Sequence, residues 1–353
     1  MKAHITSPAG LCGHQAAPSS RVHCIYNALV LGALALGLAF PVRAQDGNAG
    51  VESKTQASPI QMVQALNSAF GAHHARAVHA KGIILEGSFV PSAEASRLTR
   101  ATHLQGKGAA VIVRFSDFTG IPDIPDTVGA SRPRGAAIKF LLPNSQSTDI
   151  VMHSFNGFPV ATTDEFRVLL EAIGTAGRGN SAPLGQFLDA HPIAKTFLTT
   201  QKPMSTSWAT LSFFGVNAFK LTNKAGVSHF VRYQLVPEAG EHFLSKAQAA
   251  TADPNYLQTE IKQRVAAQPI TFKLYAQVAE KGDAIENPSV AWPAARPRVL
   301  LGTLTLKNMA PNTVEQDKAL FFNPNNVHDG ISVADPMLVD RARAYPVSVG
   351  VRQ

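Results

Sequence analysis

The chain has 353 residues, of which 45% are hydrophobic and 16% charged, and its formal net charge is +8. That composition excludes a disordered chain and allows one large domain with a sizeable core. The positive surplus is scattered, with no basic run and no nucleic-acid motif, so it suits anionic ligands or an anionic surface and excludes nucleic acid as the expected partner.

Residues 1–44 read as an export signal. Lys2 and Arg21 supply a positive leading region, residues 28–40 form an apolar run too short to span a bilayer comfortably, and Val42-Arg43-Ala44 is a small-x-small cleavage pattern before Gln45. An uncleaved membrane anchor is the alternative. The short apolar core favours cleavage, giving a periplasmic or secreted product with no stable membrane anchor. Cys12 and Cys24 precede the cut, so the mature chain would hold no disulfide, thiolate nucleophile or cysteine-ligated metal.

Residues 45–59 are small and polar and read as a flexible linker, followed by one domain over 60–353. Met62, Val63, Leu66 and Phe70 recur at helical spacing and predict a helix over 60–70. Strand-like runs follow at 83–90, 109–116 and 136–142, and 149–160 reads as extended, with Gly157 hinting at a bulge. Thr162 and Glu165 form a capping-box pattern ahead of a helix. Residues 183–199 predict helix interrupted near Pro192. Residues 207–222 and 227–235 alternate and meet at Asn223-Lys224-Ala225-Gly226, the clearest hairpin in the chain. Asp253-Pro254 opens a helix to about Ala267, strands follow at 271–278 and 299–307, and a long loop over 311–334 leads to a last helix. About eight strands, joined by hairpins without regular strand-helix alternation, predict an antiparallel sheet in an α+β fold, enough to close a barrel.

The last helix carries the strongest chemistry. Asp335 and Pro336 read as its N-cap and first residue, and Pro346 as its stop. Helical spacing puts Arg341 and Tyr345 one turn apart on one face. A guanidinium there favours a deprotonated phenol oxygen, which can ligate ferric haem iron. Taken alone, the pair also fits an ordinary surface helix.

From about Arg76 to Arg352 the chain resembles the haem catalases. Arg76-Ala77-Val78-His79-Ala80-Lys81-Gly82 is similar to that family's distal-histidine segment, and Val113-Arg114-Phe115-Ser116 to its distal-side strand. Asp126-Thr127-Val128 and Pro133-Arg134-Gly135-Ala136-Ala137-Ile138-Lys139-Phe140 resemble the next segment, with a slightly longer spacer. Phe322-Asn323-Pro324, Gly330-Ile331, Asp335-Pro336-Met337-Leu338 and Arg341 to Tyr345 resemble the proximal signature. Each motif is modest by itself; their order and spacing carry the likeness.

The resemblance implies an eight-stranded antiparallel β-barrel with surrounding helices and one haem b. Tyr345 would be the iron ligand, held as phenolate by Arg341. His79 would be the distal acid-base, hydrogen-bonded by Ser116. Arg76, Arg114 and Arg352 would meet the propionates, and Phe166 would line the haem. Peroxide cleavage needs a proton moved from one oxygen to the other, which an imidazole does, and an anionic oxygen ligand supports an oxidised ferryl state. His73, His74 and His153 lack partners at metal-ligand spacing and are left out.

Two departures shape the expected activity. Catalases place an asparagine two residues before a proline on the distal side, where it helps bind peroxide. Here that register holds Gly157, and Asn156 stands one residue earlier as the candidate. The long amino-terminal arm and the segments beyond the proximal helix are missing, which implies an open haem edge and a monomer or small homo-oligomer. The expectation is therefore a small catalase-related peroxidase that reduces hydrogen peroxide or organic peroxides and oxidises a small organic donor. The alternatives are a true catalase, a fatty-acid hydroperoxide-converting enzyme and a non-enzymatic periplasmic haem-binding protein.

Overall fold

A computed structural model describes residues 51–352 apart from 201 and 312. The export signal expected over 1–44 lies outside the described residues. The elements in order are α1 Pro59–Phe70, β1 Gly82–Pro91, α2 Ala95–Leu98, β2 Ala109–Ser116, β3 Gly135–Leu141, β4 Ser147–His153, α3 Thr163–Gly177, α4 Ala182–Ala190 and α5 Pro192–Thr199. Then come β5 Phe213–Phe214, β6 Phe219–Thr222, β7 Ser228–Pro237, α6 Lys246–Ala250, α7 Tyr256–Ala267, β8 Ile270–Val278, β9 Arg298–Met309, α8 Thr313–Ala319, β10 Ile331–Val333 and α9 Pro336–Gly350.

Eight of these strands close a barrel. The order runs β7-β5-β4-β3-β2-β1-β9-β8, and β8 pairs back onto β7, while β6 and β10 extend the sheet beyond β7. The pairings are antiparallel throughout. Alternation sorts the side chains: Val113, Phe115, Ile138 and Phe140 are buried in the barrel core. Phe115 sits at its centre, with ring centroids of Phe213, Phe272 and Trp208 at 5.7, 6.0 and 6.3 Å. Truncating such a ring costs about 3–5 kcal/mol.

The opposite face builds the site. One row of paired residues crosses four strands, Gly82 to Ser116 to Gly135 to His153, and reaches Phe214 on β5. Two residues along, Arg114, Ala137 and Val151 form a second row on that face. Helices α1, α3 and α9 stand near it. Met62, Ala65 and Leu170 form a small core that Phe166 and Ala344 join.

Local structure departs from the sequence reading in four places. From Val51 onward the segment read as a linker is tied down: Ser53 Oγ donates to Asp340 Oδ1 at 2.5 Å, Thr55 Oγ1 to Asp164 at 2.6 Å, and Ser58 caps α1 in a capping box with Gln61. The run 207–222 is a short turn at Trp208–Thr210 and two short strands, because residues 215–218 leave the ladder. The loop before α9 contains α8 and β10. Helix α9 also passes through Pro346 instead of ending at Tyr345. The proline ring's fixed φ fits a helix, and its missing N–H costs one bond at Ala342. Val351 and Arg352 still donate to Val347 and Val349 at 3.3 and 3.1 Å, and the extra turn carries Ser348 and Arg352 to the site.

Candidate active site

A cavity lies between the outer barrel face and helices α1, α3 and α9. His79 and Tyr345 both line it, with Arg76, Arg114, Arg341 and Arg352. Ser116 and Phe166 line it as well, so eight of the nine residues singled out from sequence converge on one space.

Strand β2 and the loop before β1 place His79. Its backbone N–H donates to Phe118 O at 3.0 Å, and its Nδ1 lies 2.9 Å from Asp117 O and 3.1 Å from Ser116 Oγ. A carbonyl can only accept, so Nδ1 carries the proton and Nε2 keeps its lone pair. His79 has φ 58°, a left-handed conformation that a bulky side chain adopts only when its surroundings impose it. Arg114 imposes it: Nη1 donates to His79 O at 2.8 Å and Nη2 to Ala80 O at 2.9 Å. Burial, and then the positive Arg114, push the imidazole down to about 3, against the Asp117 hydrogen bond. His79 is therefore neutral at physiological pH.

Helix α9 places Tyr345 one turn after Arg341. Arg341 Nε donates to the Tyr345 hydroxyl oxygen at 3.0 Å, and Nη2 donates to the same atom. Nη1 donates to Asn217 Oδ1 at 2.8 Å, and Asn217 Nδ2 to Asp335 Oδ2, also at 2.8 Å. Asp335 in turn accepts from Met337 N and caps α9. The break between β5 and β6 is what aims Asn217 at Arg341. Two guanidinium N–H groups thus converge on one phenol oxygen and fix where it stands.

The third group of residues is a cationic edge. Arg114 forms an ion pair with Asp317 of α8, which also pairs with Arg76 Nη2 at 3.2 Å. Arg76 Nη2 and Arg352 Nη1 donate to Leu320 O at 2.8 and 3.3 Å. Burial pushes Arg76 down to about 9; Arg114 adds to this and Asp317 opposes it. Its Nε is buried with no partner among the described residues. An unused N–H on a buried guanidinium is a place for an anion.

These features fit a porphyrin with carboxylate arms. The lining offers a phenol oxygen held by Arg341, an imidazole, and three arginines, one of which has a buried N–H with no partner among the described residues.

Asn156 is the residue that the structure does not bring in. Strand β4 ends at His153 and the chain bends over residues 154–157, so Asn156 lies past the end of the ladder. Asn156 lines a separate groove with Phe155, Ile193, Phe197 and Ser289, which shares Phe158 with the main cavity. The extended reading of 149–160 had kept it in line with the strand. Sequence reasoning also missed Asn217, Asp317 and His153. The first two are recognisable only through tertiary contacts, whereas His153 carried a signal, its odd-even register with Val151 on β4.

Residues 60–352 match the family model described as catalase. The chain is 33% identical to a catalase-related peroxidase of Synechococcus elongatus, covering 84% of this chain and 89% of the relative. It is equally 33% identical to one of Mycolicibacterium paratuberculosis, over 84% and 95% of the two chains. Among solved structures, a fungal catalase aligns over 79% of this chain with a TM-score of 0.71 at 21% identity, a likeness of fold. This chain spans 59% of that catalase's length.

Proposed function

The chain belongs to the catalase family, and from that premise we propose that it is a haem b-dependent peroxidase reducing hydrogen peroxide or an organic peroxide while oxidising a small organic donor. The observation that carries this reading is the presence, in the lining of one cavity, of an arginine-held phenol oxygen and an imidazole whose Nε2 is free to take a proton.

Tyr345 would hold the iron, and Arg76, Arg114 and Arg352 the carboxylate arms. Bound haem supplies an iron that accepts oxidation from a peroxide. His79 Nε2 takes the proton from one peroxide oxygen and returns it to the other, so that water, or the alcohol of an organic peroxide, can leave. An imidazolium in this buried, arginine-rich place is unfavourable, so His79 passes the proton on and does not keep it. Ser116 and the Asp117 carbonyl hold the ring at Nδ1, and Arg114 holds its backbone.

Peroxidase is favoured over fast disproportionation because Asn156, the candidate for an extra peroxide-binding amide, stands outside the cavity. Two relatives similar over most of the chain are catalase-related peroxidases. The export signal read in residues 1–44 supports action in the periplasm or outside the cell, as a monomer or small homo-oligomer. The test is to reconstitute the protein with hemin, confirm a high-spin ferric spectrum, and compare oxygen release from peroxide with turnover of a phenolic donor. Donor turnover should dominate; dominant oxygen release overturns the peroxidase reading, and failure to take up hemin overturns the haem reading.

A further inference from the structure

His153 ends β4 on the row that also holds Ser116 and Gly135. Its side chain lines the same cavity as His79. The residue is buried, and both ring nitrogens lack a hydrogen-bond partner among the described residues. Leaving one buried polar atom unsatisfied costs about 1–3 kcal/mol. A histidine doing only structural work would have found a carbonyl or hydroxyl; this one meets the edge of Phe197, centroid to centroid 6.4 Å.

Gly135 is what keeps the space open. It stands between Ser116 and His153 in the row, and it contributes no side chain. Both imidazoles thus line one volume, and no described residue hydrogen-bonds His153.

We propose that His153 is a second catalytic histidine, one that binds the peroxide directly and orients it toward His79. A neutral imidazole has one N–H to donate, and either oxygen of a hydroperoxide R–O–O–H can accept it. His153 donates its one N–H to a peroxide oxygen and leaves the hydroxyl hydrogen to His79 Nε2, and no bond to His153 forms or breaks. It supplies from β4 the polar group that Asn156 does not. Burial pushes His153 down to about 3, with His79, Arg341 and Lys202 adding to it, so it serves as a neutral hydrogen-bonding group.

This inference rests on the haem peroxidase reading, and the experiment separates the two. His153→Leu and His153→Gln are prepared with Asn156→Ala as control, each with and without hemin. His153→Leu removes two unsatisfied polar atoms, so the hemin-free variant should melt higher than the parent. Hemin uptake should stay within about twofold, while kcat/KM for hydrogen peroxide falls about 100-fold, within the range for a positioned polar group. His153→Gln, which can still donate and accept, should recover part of that loss, and Asn156→Ala should match the parent. Cyanide binding to the ferric protein, read from its spectrum, should weaken in His153→Leu. Unchanged kcat/KM in His153→Leu, or a lower melting temperature with no rescue by His153→Gln, overturns the proposal. A parent protein that takes up no hemin fails the broader reading instead.

Discussion

A methyl group built on Gly135 would stand 2.7 Å from His79 Nδ1 and 2.4 Å from Ser116 Oγ. The absence of a side chain on β3 is therefore what lets the imidazole lie against the barrel wall. Gly135→Ala should push the ring off its Asp117 and Ser116 partners and lower peroxide turnover about 10–100-fold, since small misplacements of catalytic groups are that costly. Hemin uptake should persist, because the Tyr345 side of the cavity is untouched. Steady-state kinetics with parallel hemin titration reads both; normal turnover would show that the neighbours yield.

Replacing His79 itself separates an enzyme from a binding protein. His79→Ala should slow peroxide reduction about 10²–10⁴-fold, the usual contribution of general acid-base catalysis, and leave hemin uptake close to normal. An unaffected rate would favour a haem-binding protein.

Tyr345, Arg341, Asn217 and Asp335 form one hydrogen-bonded chain ending at the N-cap of α9. Tyr345→Phe should remove the oxygen proposed to hold the iron and give the largest loss of hemin affinity. Arg341→Leu and Asn217→Ala act through the tyrosine and should weaken retention about 10–100-fold, Asn217→Ala the less. Apomyoglobin capture of released hemin measures this; equal retention in Arg341→Leu and the parent would remove Arg341 from its role.

The sequence made the barrel and the two ends of the site legible, for different reasons. Val113, Phe115, Ile138 and Phe140 advertise strands by alternation, and Thr162 with Glu165 advertises a helix start by a local hydrogen-bond pair, found as expected. Arg341 and Tyr345 are four apart on a helix, so their contact is local as well. What could not be read depends on chain crossings. Asn217 reaches Arg341 across 124 positions, and Asp317 reaches Arg114 across 203. Pro346 misled because the helix rule concerns one hydrogen bond, whereas α9 is held by its packing on α1 and continues. Asn156 misled because the chain bends straight after His153, before Gly157 is reached.

Asp317 braces the arginine edge from α8. With three guanidiniums close together and Arg76 pushed down to about 9, one carboxylate is needed to keep them charged and in place. Burial alone would raise the Asp317 carboxyl, but Arg114 and then Arg76 hold it below its usual range. Asp317→Asn should destabilise the protein by about 1–3 kcal/mol, discounted for the partial exposure of the carboxylate, and weaken hemin binding about tenfold. Hemin dimethyl ester, which lacks the carboxylates, should lose much less. Equal losses for both porphyrins would mean that Asp317 supports the fold alone.

Acid stability gives a test independent of haem. His103 is buried beneath β3, its ring 4.8 Å from that of Phe140, and its Nδ1 has no partner among the described residues. Burial, with His328 adding to it, pushes it down to about 3, below the ordinary 6.5. The folded state thus refuses a proton that the unfolded chain accepts near pH 6.5. Stability from this group is complete above that pH and is lost as the pH falls toward 3. His79 and His153 act in the same direction over the same window. The raised carboxyls of Asp117, Asp149 and Asp335, lifted mainly by burial, work against them. The absolute acid curve therefore mixes both signs, and the informative quantity is the change on removing one histidine. His103→Leu fills a similar buried volume and does not titrate. Its unfolding free energy, from denaturant titrations between pH 6 and 4, should fall less steeply than the parent's by about 1.4 kcal/mol per pH unit, one proton's worth. Parallel curves for the two proteins would mean that His103 is protonated in the folded state and finds water or a partner there.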